Sequence, residues 1–116
     1  WRMVWEQNVS TVIMATNTEE RKEPKCAKYW PSGDPQSYGD LMVVNLGENH
    51  LVDYTIRSFS VQRAQGDSTM SIKRNITQYH FTSWPDFGVP KSPSGILKFL
   101  RKIKHSSPTG YGPIVV

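Results

Sequence analysis

Ser10-Thr11-Val12-Ile13-Met14-Ala15-Thr16 is β-branched and continuously apolar at its centre, the pattern of a strand buried on both faces. Such a strand needs cover above and below, so a helix-covered sheet is expected. Upstream, Trp1, Val4 and Trp5 have helical spacing and read as the last turns of a helix, with Asn8 near its end. Downstream come three β-like segments at 38–46, 52–62 and about 70–82, joined by Gly47-Glu48-Asn49 and Gln65-Gly66-Asp67-Ser68. Their spacing predicts an antiparallel meander. In the middle segment Val52, Tyr54 and Ile56 alternate with Asp53, Thr55 and Arg57, but beyond Ser58 the apolar positions become Phe59 and Val61. This change of phase predicts a bulge or strong twist near Arg57-Ser58.

Ser92-Pro93 is a helix start, because Ser caps free amide groups and Pro suits the first helical position. Ile96, Phe99, Leu100 and Ile103 then form one apolar stripe, and the helix should stop before Pro108. Gly112-Pro113-Ile114-Val115-Val116 begins another buried strand. A doubly buried strand beside an antiparallel meander and helices makes the fold class α/β of the α+β kind.

With 116 residues there is room for one modest domain or part of a larger one, and 37% apolar residues with four Trp, five Tyr and four Phe describe a chain that folds around a core. No apolar run approaches the roughly 20 residues that span a bilayer, so no membrane contact is expected of this segment. The opening Trp1-Arg2-Met3-Val4-Trp5 has neither an initiator Met nor the order of a signal peptide and reads as a cut start. Cys26 is the one cysteine, which leaves no internal disulfide framework and favours a reducing compartment. Asn8-Val9-Ser10 and Asn75-Ile76-Thr77 match the glycosylation triplet, but Asn75 leads directly into a strand-like run, and a cytoplasmic location is the expectation. The net charge is +4, and Lys98, Arg101, Lys102 and Lys104 fall on the polar side of the predicted helix, as on a solvated face. There is no recognition motif for nucleic acid, and none is expected as a partner.

The chemistry lies in Gln78-Tyr79-His80-Phe81-Thr82-Ser83-Trp84-Pro85-Asp86-Phe87-Gly88-Val89-Pro90. It reads as a strand running into a rigid yet hinged loop: two prolines restrict the backbone, Gly88 permits unusual dihedrals, Trp84 can anchor one end, and Asp86 is a single carboxylate in the middle. Taken alone, a Pro-Asp pair stabilises a turn. Cys26 with His50 or His80 could suggest a Cys/His hydrolase, but a lone cysteine is ordinarily a small apolar side chain, and the three His and one Cys lack metal-ligand spacing.

The segment resembles the acid-bearing loop of tyrosine-specific protein phosphatases, whose Trp-Pro-Asp core stands here as Trp84-Pro85-Asp86. Trp1-Arg2-Met3-Val4-Trp5-Glu6-Gln7, Lys25-Cys26-Ala27-Lys28-Tyr29-Trp30-Pro31, Asp53-Tyr54-Thr55-Ile56-Arg57 and Gly112-Pro113-Ile114-Val115-Val116 also resemble that family's blocks, in order and at suitable spacing. The resemblance covers essentially the whole chain. It implies a partial catalytic domain over 1–116, with a highly twisted mixed β-sheet flanked by helices and incomplete at both ends. It also implies hydrolysis of phosphotyrosine in proteins through a cysteinyl-phosphate, without metal or cofactor.

In the family the terminal strand feeds a His-Cys pair and a glycine-rich loop closing on an arginine. The nucleophile is therefore expected to lie outside these residues, leaving them inactive alone. By the same resemblance Asp86 is the general acid and base and Phe87 lines the pocket for the substrate ring. Lys25 contacts the acid loop, and Glu20, with Glu19 and Glu23 as close alternatives, pairs with the missing arginine. The parent is expected to be cytoplasmic or the cytoplasmic part of a membrane receptor, the alternative being a phosphatase-like regulatory or phosphotyrosine-binding copy.

Overall fold

The computed structural model of the chain describes residues 1–64, 72–85, 88–106 and 112–116. In chain order the elements are α1 (Arg2–Glu6), β1 (Thr11–Met14), β2 (Glu19–Glu20), β3 (Glu23–Pro24), β4 (Gln36–Tyr38), β5 (Leu41–His50), β6 (Tyr54–Arg63), β7 (Arg74–Phe81), α2 (Ser94–Ser106) and β8 (Ile114–Val115). Six strands form one mixed sheet in the order β4-β5-β6-β7-β1-β8. The meander β4 to β7 is antiparallel, and β1 lies parallel to both β7 and β8. The expected mixed, helix-flanked architecture is therefore present.

β1 is the reference strand, because its alternate residues belong to different cores. Val12 and Met14 join Val4, Val9, Trp30, Leu41, Val43, Phe59, Val61 and Ile76 on one face, whereas Ile13 packs with Tyr79, Phe81, Phe99 and Ile103 on the other. α1 covers the first face, where Trp1 meets Phe59 edge-on at 5.5 Å between centroids and donates Nε1–H to the Tyr29 carbonyl at 2.6 Å. α2 covers the second through Phe99, which lies 5.3 Å from Phe81 and 5.4 Å from Tyr54.

The phase change at Arg57-Ser58 has a different origin from the one expected. β6 pairs with β7 without interruption from Tyr54↔Phe81 to Val61↔Arg74, so its own alternation is regular. Its apolar residues switch parity because Tyr54 and Ile56 face the α2 core, whereas Phe59 and Val61 face the α1 core. The irregularity is on β5: Asn45 pairs with Phe59 and Gly47 with Ser58, leaving Leu46 as the extra residue. Gly47-Glu48-Asn49 thus belongs to the strand rather than the turn, which falls at Leu51, Val52 and Asp53.

Ser92 Oγ accepts the Ser94 amide at 3.3 Å near the start of α2, as the Ser92-Pro93 signal predicts. Phe99 and Ile103 are buried, but Leu100 is 50% exposed. It lies about 60° round the helix from Ile103, past the stripe that meets the sheet. β8 also departs from expectation, being an edge strand with Ile114 half exposed. The expected link at 65–68, the first residues of the third β-like segment and the stop before Pro108 lie outside the described residues.

The approach to β8 is close. A Cβ on Gly112 would collide with the Asn8 carbonyl, where the chain turns through the left-handed region at φ +54° between α1 and β1. Gly112→Ala is expected to destabilise the fold by about 1–3 kcal/mol, the scale of overpacking, and to loosen β8 from β1. Denaturant unfolding and amide exchange at Thr11 and Val12 check this; an unchanged midpoint would show that the backbone moves aside freely.

Candidate functional site

β1 and β7 run side by side in parallel, from Thr11↔Thr77 to Met14↔His80. Adjacent parallel strands whose continuations diverge leave a crevice beyond their carboxyl ends, where α/β sheets commonly place their sites. β1 continues into the stretch bearing Glu20 and Lys25, and β7 into the stretch bearing Trp84 and Pro85. The fold therefore brings these four residues to the same end of neighbouring strands. Asp86 and Phe87 lie outside the described residues.

The first stretch is a small hairpin, with Glu19↔Pro24 and Glu20↔Glu23 paired. Its two connecting residues, Arg21 and Lys22, have φ of +50° and +66°, as a type I′ turn requires of both central positions. The hairpin closes on Thr18, whose carbonyl accepts the Lys25 amide at 2.9 Å and the Cys26 amide at 3.3 Å. Glu20 is half-buried, and Lys25 is exposed with Nζ 3.7 Å from a Glu23 carboxylate oxygen, a weak surface pair.

The second stretch is pinned at its base. The Thr82 amide donates to the Asp53 carbonyl at 2.9 Å, and the Asn17 side-chain amide donates to the Thr82 carbonyl at 3.1 Å. Trp84 meets Phe81 edge-on at 6.3 Å but remains 39% exposed, so it anchors the loop on one side. Gly88, at φ +81°, supplies the left-handed backbone expected of it. A cleft of about 480 Å³ runs between this loop and the start of α2, bordered by Asp53, Phe81, Ser83, Pro85 and Val89. The Asp53 carboxylate closes it against Gly95, in the first turn of α2, where a carboxylate complements the helix dipole.

Beneath both stretches lies a polar cluster that the residue pattern did not disclose. Arg57 is 9% exposed, with its guanidinium 4.6 Å from the centre of the Trp30 ring. It donates through Nε to Glu48 at 2.9 Å, and through Nη1 to Gln78 Oε1 and to His80 Nδ1, each at 2.9 Å. Gln78 in turn donates to the Tyr29 hydroxyl at 2.8 Å. The β5 bulge makes this possible: Leu41 and Val43 face the α1 core, and the extra residue flips the parity so that Glu48 shares that face with Arg57. Burial would raise the Glu48 pKa, but hydrogen bonds from Asn45 and Arg57 outweigh it and leave the carboxyl below its ordinary value. Burial also pushes the Tyr29 hydroxyl up.

The partners of His80 define its protonation. Nε2 lies 2.6 Å from the Thr16 carbonyl, which can only accept, so Nε2 carries hydrogen; Nδ1 faces an Arg57 N–H, so it is bare. The ring is a neutral Nε2–H tautomer. Burial lowers its pKa below the ordinary 6.5, Arg57 adds to this, and the Thr16 carbonyl offsets part of it.

Both ring nitrogens being engaged, His80 is not available as a base for Cys26. That cysteine is half-buried against the α1 core and borders an apolar hollow of about 480 Å³. Among the described residues no group of three His, Cys, Asp or Glu could hold a metal ion, and no helix is long and apolar enough to cross a membrane. Asn17, Arg57 and Gln78 were given no role by the sequence pattern, and His80 entered only as a possible base for Cys26. Their available signal was polar character at inward-facing strand positions and, for Asn17, its place just beyond a buried strand.

The unfolded chain protonates His80 below about pH 6.5, whereas the folded chain resists doing so, and protons therefore favour unfolding. The stability that depends on neutral His80 is present above about pH 6.5 and is lost as the pH falls through the folded pKa. Melting temperatures from about pH 7.5 down to 5.5, the span over which an ordinary histidine titrates, should fall, and His80→Gln should flatten the change. An equally steep fall in His80→Gln would assign it to other groups.

The family model for protein-tyrosine phosphatase matches residues 1–116. Receptor-type tyrosine-protein phosphatase alpha of Homo sapiens is 52% identical over 116 residues, which are 100% of this chain and 14% of that protein. Receptor-type tyrosine-protein phosphatase epsilon of Rattus norvegicus is also 52% identical over all of this chain, 16% of its own length. Receptor-type tyrosine-protein phosphatase F of Bos taurus is 44% identical over all of this chain, 6% of its own length. The chain thus spans a small part of each relative, and the family model's match along every residue, with these identities, places it in one group: it belongs to the protein-tyrosine phosphatase family.

Proposed function

We propose that residues 1–116 form part of a catalytic domain that hydrolyses phosphotyrosine in proteins, with Asp86 as general acid and then general base. What supports this reading is the Trp84-Pro85-Asp86 sequence, whose first two residues stand on the stretch leaving β7, beside the hairpin that leaves β1. A cysteine thiolate outside the 116 residues attacks phosphorus; the S–P bond forms as the bond to the tyrosyl oxygen breaks. Asp86 gives its proton to that oxygen, whose phenol has a pKa of about 10 and leaves poorly as an anion. Water then attacks phosphorus, Asp86 takes its proton, and the thiolate departs.

In this scheme Phe87 lines the pocket for the tyrosyl ring, Lys25 contacts the acid loop, and Glu20 pairs with an arginine of the phosphate-binding loop. Trp84 and Pro85 hold the loop's shape. The substrates are phosphotyrosine-containing proteins, and the domain works on the cytoplasmic side, whether in a soluble parent or in a membrane receptor.

In the full-length protein that contains these residues, Asp86→Ala should lower turnover of a phosphotyrosyl peptide by about 10²–10⁴-fold, the usual worth of general acid-base catalysis. Substrate binding should change little, because the proton is needed chiefly in the transition state. The high-pH limb of the rate profile should flatten with it. Turnover within about threefold of the parent, far short of that loss, would make Asp86 a turn residue. Residues 1–116 alone should release no p-nitrophenol from p-nitrophenyl phosphate, since Cys26 is packed against the core; turnover surviving Cys26→Ser would contradict the assignment of the nucleophile elsewhere.

A further inference from the structure

We propose that Asn17 and His80 are positioning residues, which hold the two loops of the site in register by a reciprocal pair of hydrogen bonds where the β1–β7 backbone ladder stops. This rests on the reading of Asp86 as the general acid. The last backbone pair is Met14↔His80. Two residues beyond each member stand the carbonyls of Thr16 and Thr82, which the diverging strands no longer satisfy across the ladder. His80 Nε2–H donates to the first at 2.6 Å, and Asn17 Nδ2–H donates to the second at 3.1 Å. The bonds run in opposite directions between the same two segments, so the pair resists both shear and separation.

The placement suits this task. Trp84 follows Thr82 by two residues, and Glu20 follows Asn17 by three. Thr18, next to Asn17, accepts the Lys25 amide. The Asn17-Thr18 pair therefore ties the acid-loop base with a side chain and the Lys25 hairpin with a carbonyl. Arg57 fixes the ring of His80 by donating to Nδ1 at 2.9 Å, and His80 is 4% exposed, so it has no freedom to give way. A shift of about 1 Å in a positioned group can cost about a hundredfold in rate, which makes a tie at the loop base relevant to the proton transfer four residues on.

The test uses the full-length protein. Asn17→Ala, and Asn17→Asp, which is isosteric but lacks the donor, should each lower kcat on a phosphotyrosyl peptide about five- to tenfold, the scale of one hydrogen bond, with KM within about twofold. His80→Gln, whose amide can replace the Nε2 donor, should stay within about twofold of the parent, whereas His80→Asn, which can replace only the Nδ1 acceptor, should lose about as much as Asn17→Ala. In an Asp86→Asn background, Asn17→Ala should cost nothing further, since the group it positions is gone. Undiminished kcat in Asn17→Ala, or the same loss with and without Asp86, would overturn the inference while leaving the function standing. So would parallel falls in melting temperature, kcat and active fraction, which would assign the bonds to stability alone. If Asp86→Asn itself changed nothing, the reading beneath the inference would fall and take it along.

Discussion

A buried guanidinium is the constraint around which this structure is arranged. Arg57 stands on β6, an inner strand of the meander, facing the core that α1 covers, and a charge there is tolerated only if it is paired and its N–H groups are used. Removing one partner of such a pair typically costs about 3–5 kcal/mol, so the neighbours are not interchangeable. Trp30 offers its ring, Gln78 and His80 offer acceptors from the next strand, and Glu48 supplies the opposite charge. Glu48 can do so only because β5 carries an extra residue at Leu46, with Gly47 at φ +154°. The bulge and the buried charge therefore explain each other.

The chain of consequence runs outward from there. Because Arg57 donates to Nδ1 of His80, the imidazole must present Nε2–H, and it presents it to the Thr16 carbonyl. Thr16 begins the path to the hairpin of β2 and β3 and to Lys25, and His80 sits near the end of the strand that leads to Trp84. A buried charge thus sets the tautomer of a ring near the end of β7, two residues before Thr82. Tyr29 and Trp30 enter the same cluster through Gln78 and Arg57, which joins the Lys25-to-Pro31 block to the sheet.

Much of the architecture was legible as periodicity. The uniform apolar run of β1, the stripe of α2 and the meander each correspond to one element with one packing requirement. The parts that were not legible depend on two elements at once. Gly47-Glu48-Asn49 has the composition of a turn, and only the need to face Arg57 reveals it as the bulged half of a strand. The switch from Tyr54 and Ile56 to Phe59 and Val61 looks like a kink along one strand, but it records which core lies over which end of the sheet. Leu100 fits the apolar period of α2 but lies beyond the width of its contact. At the site, motif spacing brought Trp84, Pro85, Lys25 and Glu20 to one sheet end, whereas Asn17 and His80 act through carbonyls, which carry no residue identity.

Left-handed backbone at non-glycine residues occurs on both sides of β1. Among the described residues the non-glycine positions with positive φ are Asn8, Arg21 and Lys22. Asn tolerates that region, and Asn8 occupies it where α1 gives way to β1. Arg21 and Lys22 have no such ease: a left-handed conformation costs about 1–2 kcal/mol for an ordinary residue, and Asn-Gly would make the same two-residue turn with less strain. The length of the connection between Glu20 and Glu23 places them there, since a two-residue hairpin turn of type I′ needs positive φ at both central positions. The surrounding contacts are strong enough to hold them, because the Thr18 carbonyl clamps the far end of the hairpin through the Lys25 and Cys26 amides. The hairpin shares its root with the bond from Asn17 to the Thr82 carbonyl, because Thr18, the next residue, accepts the Lys25 and Cys26 amides.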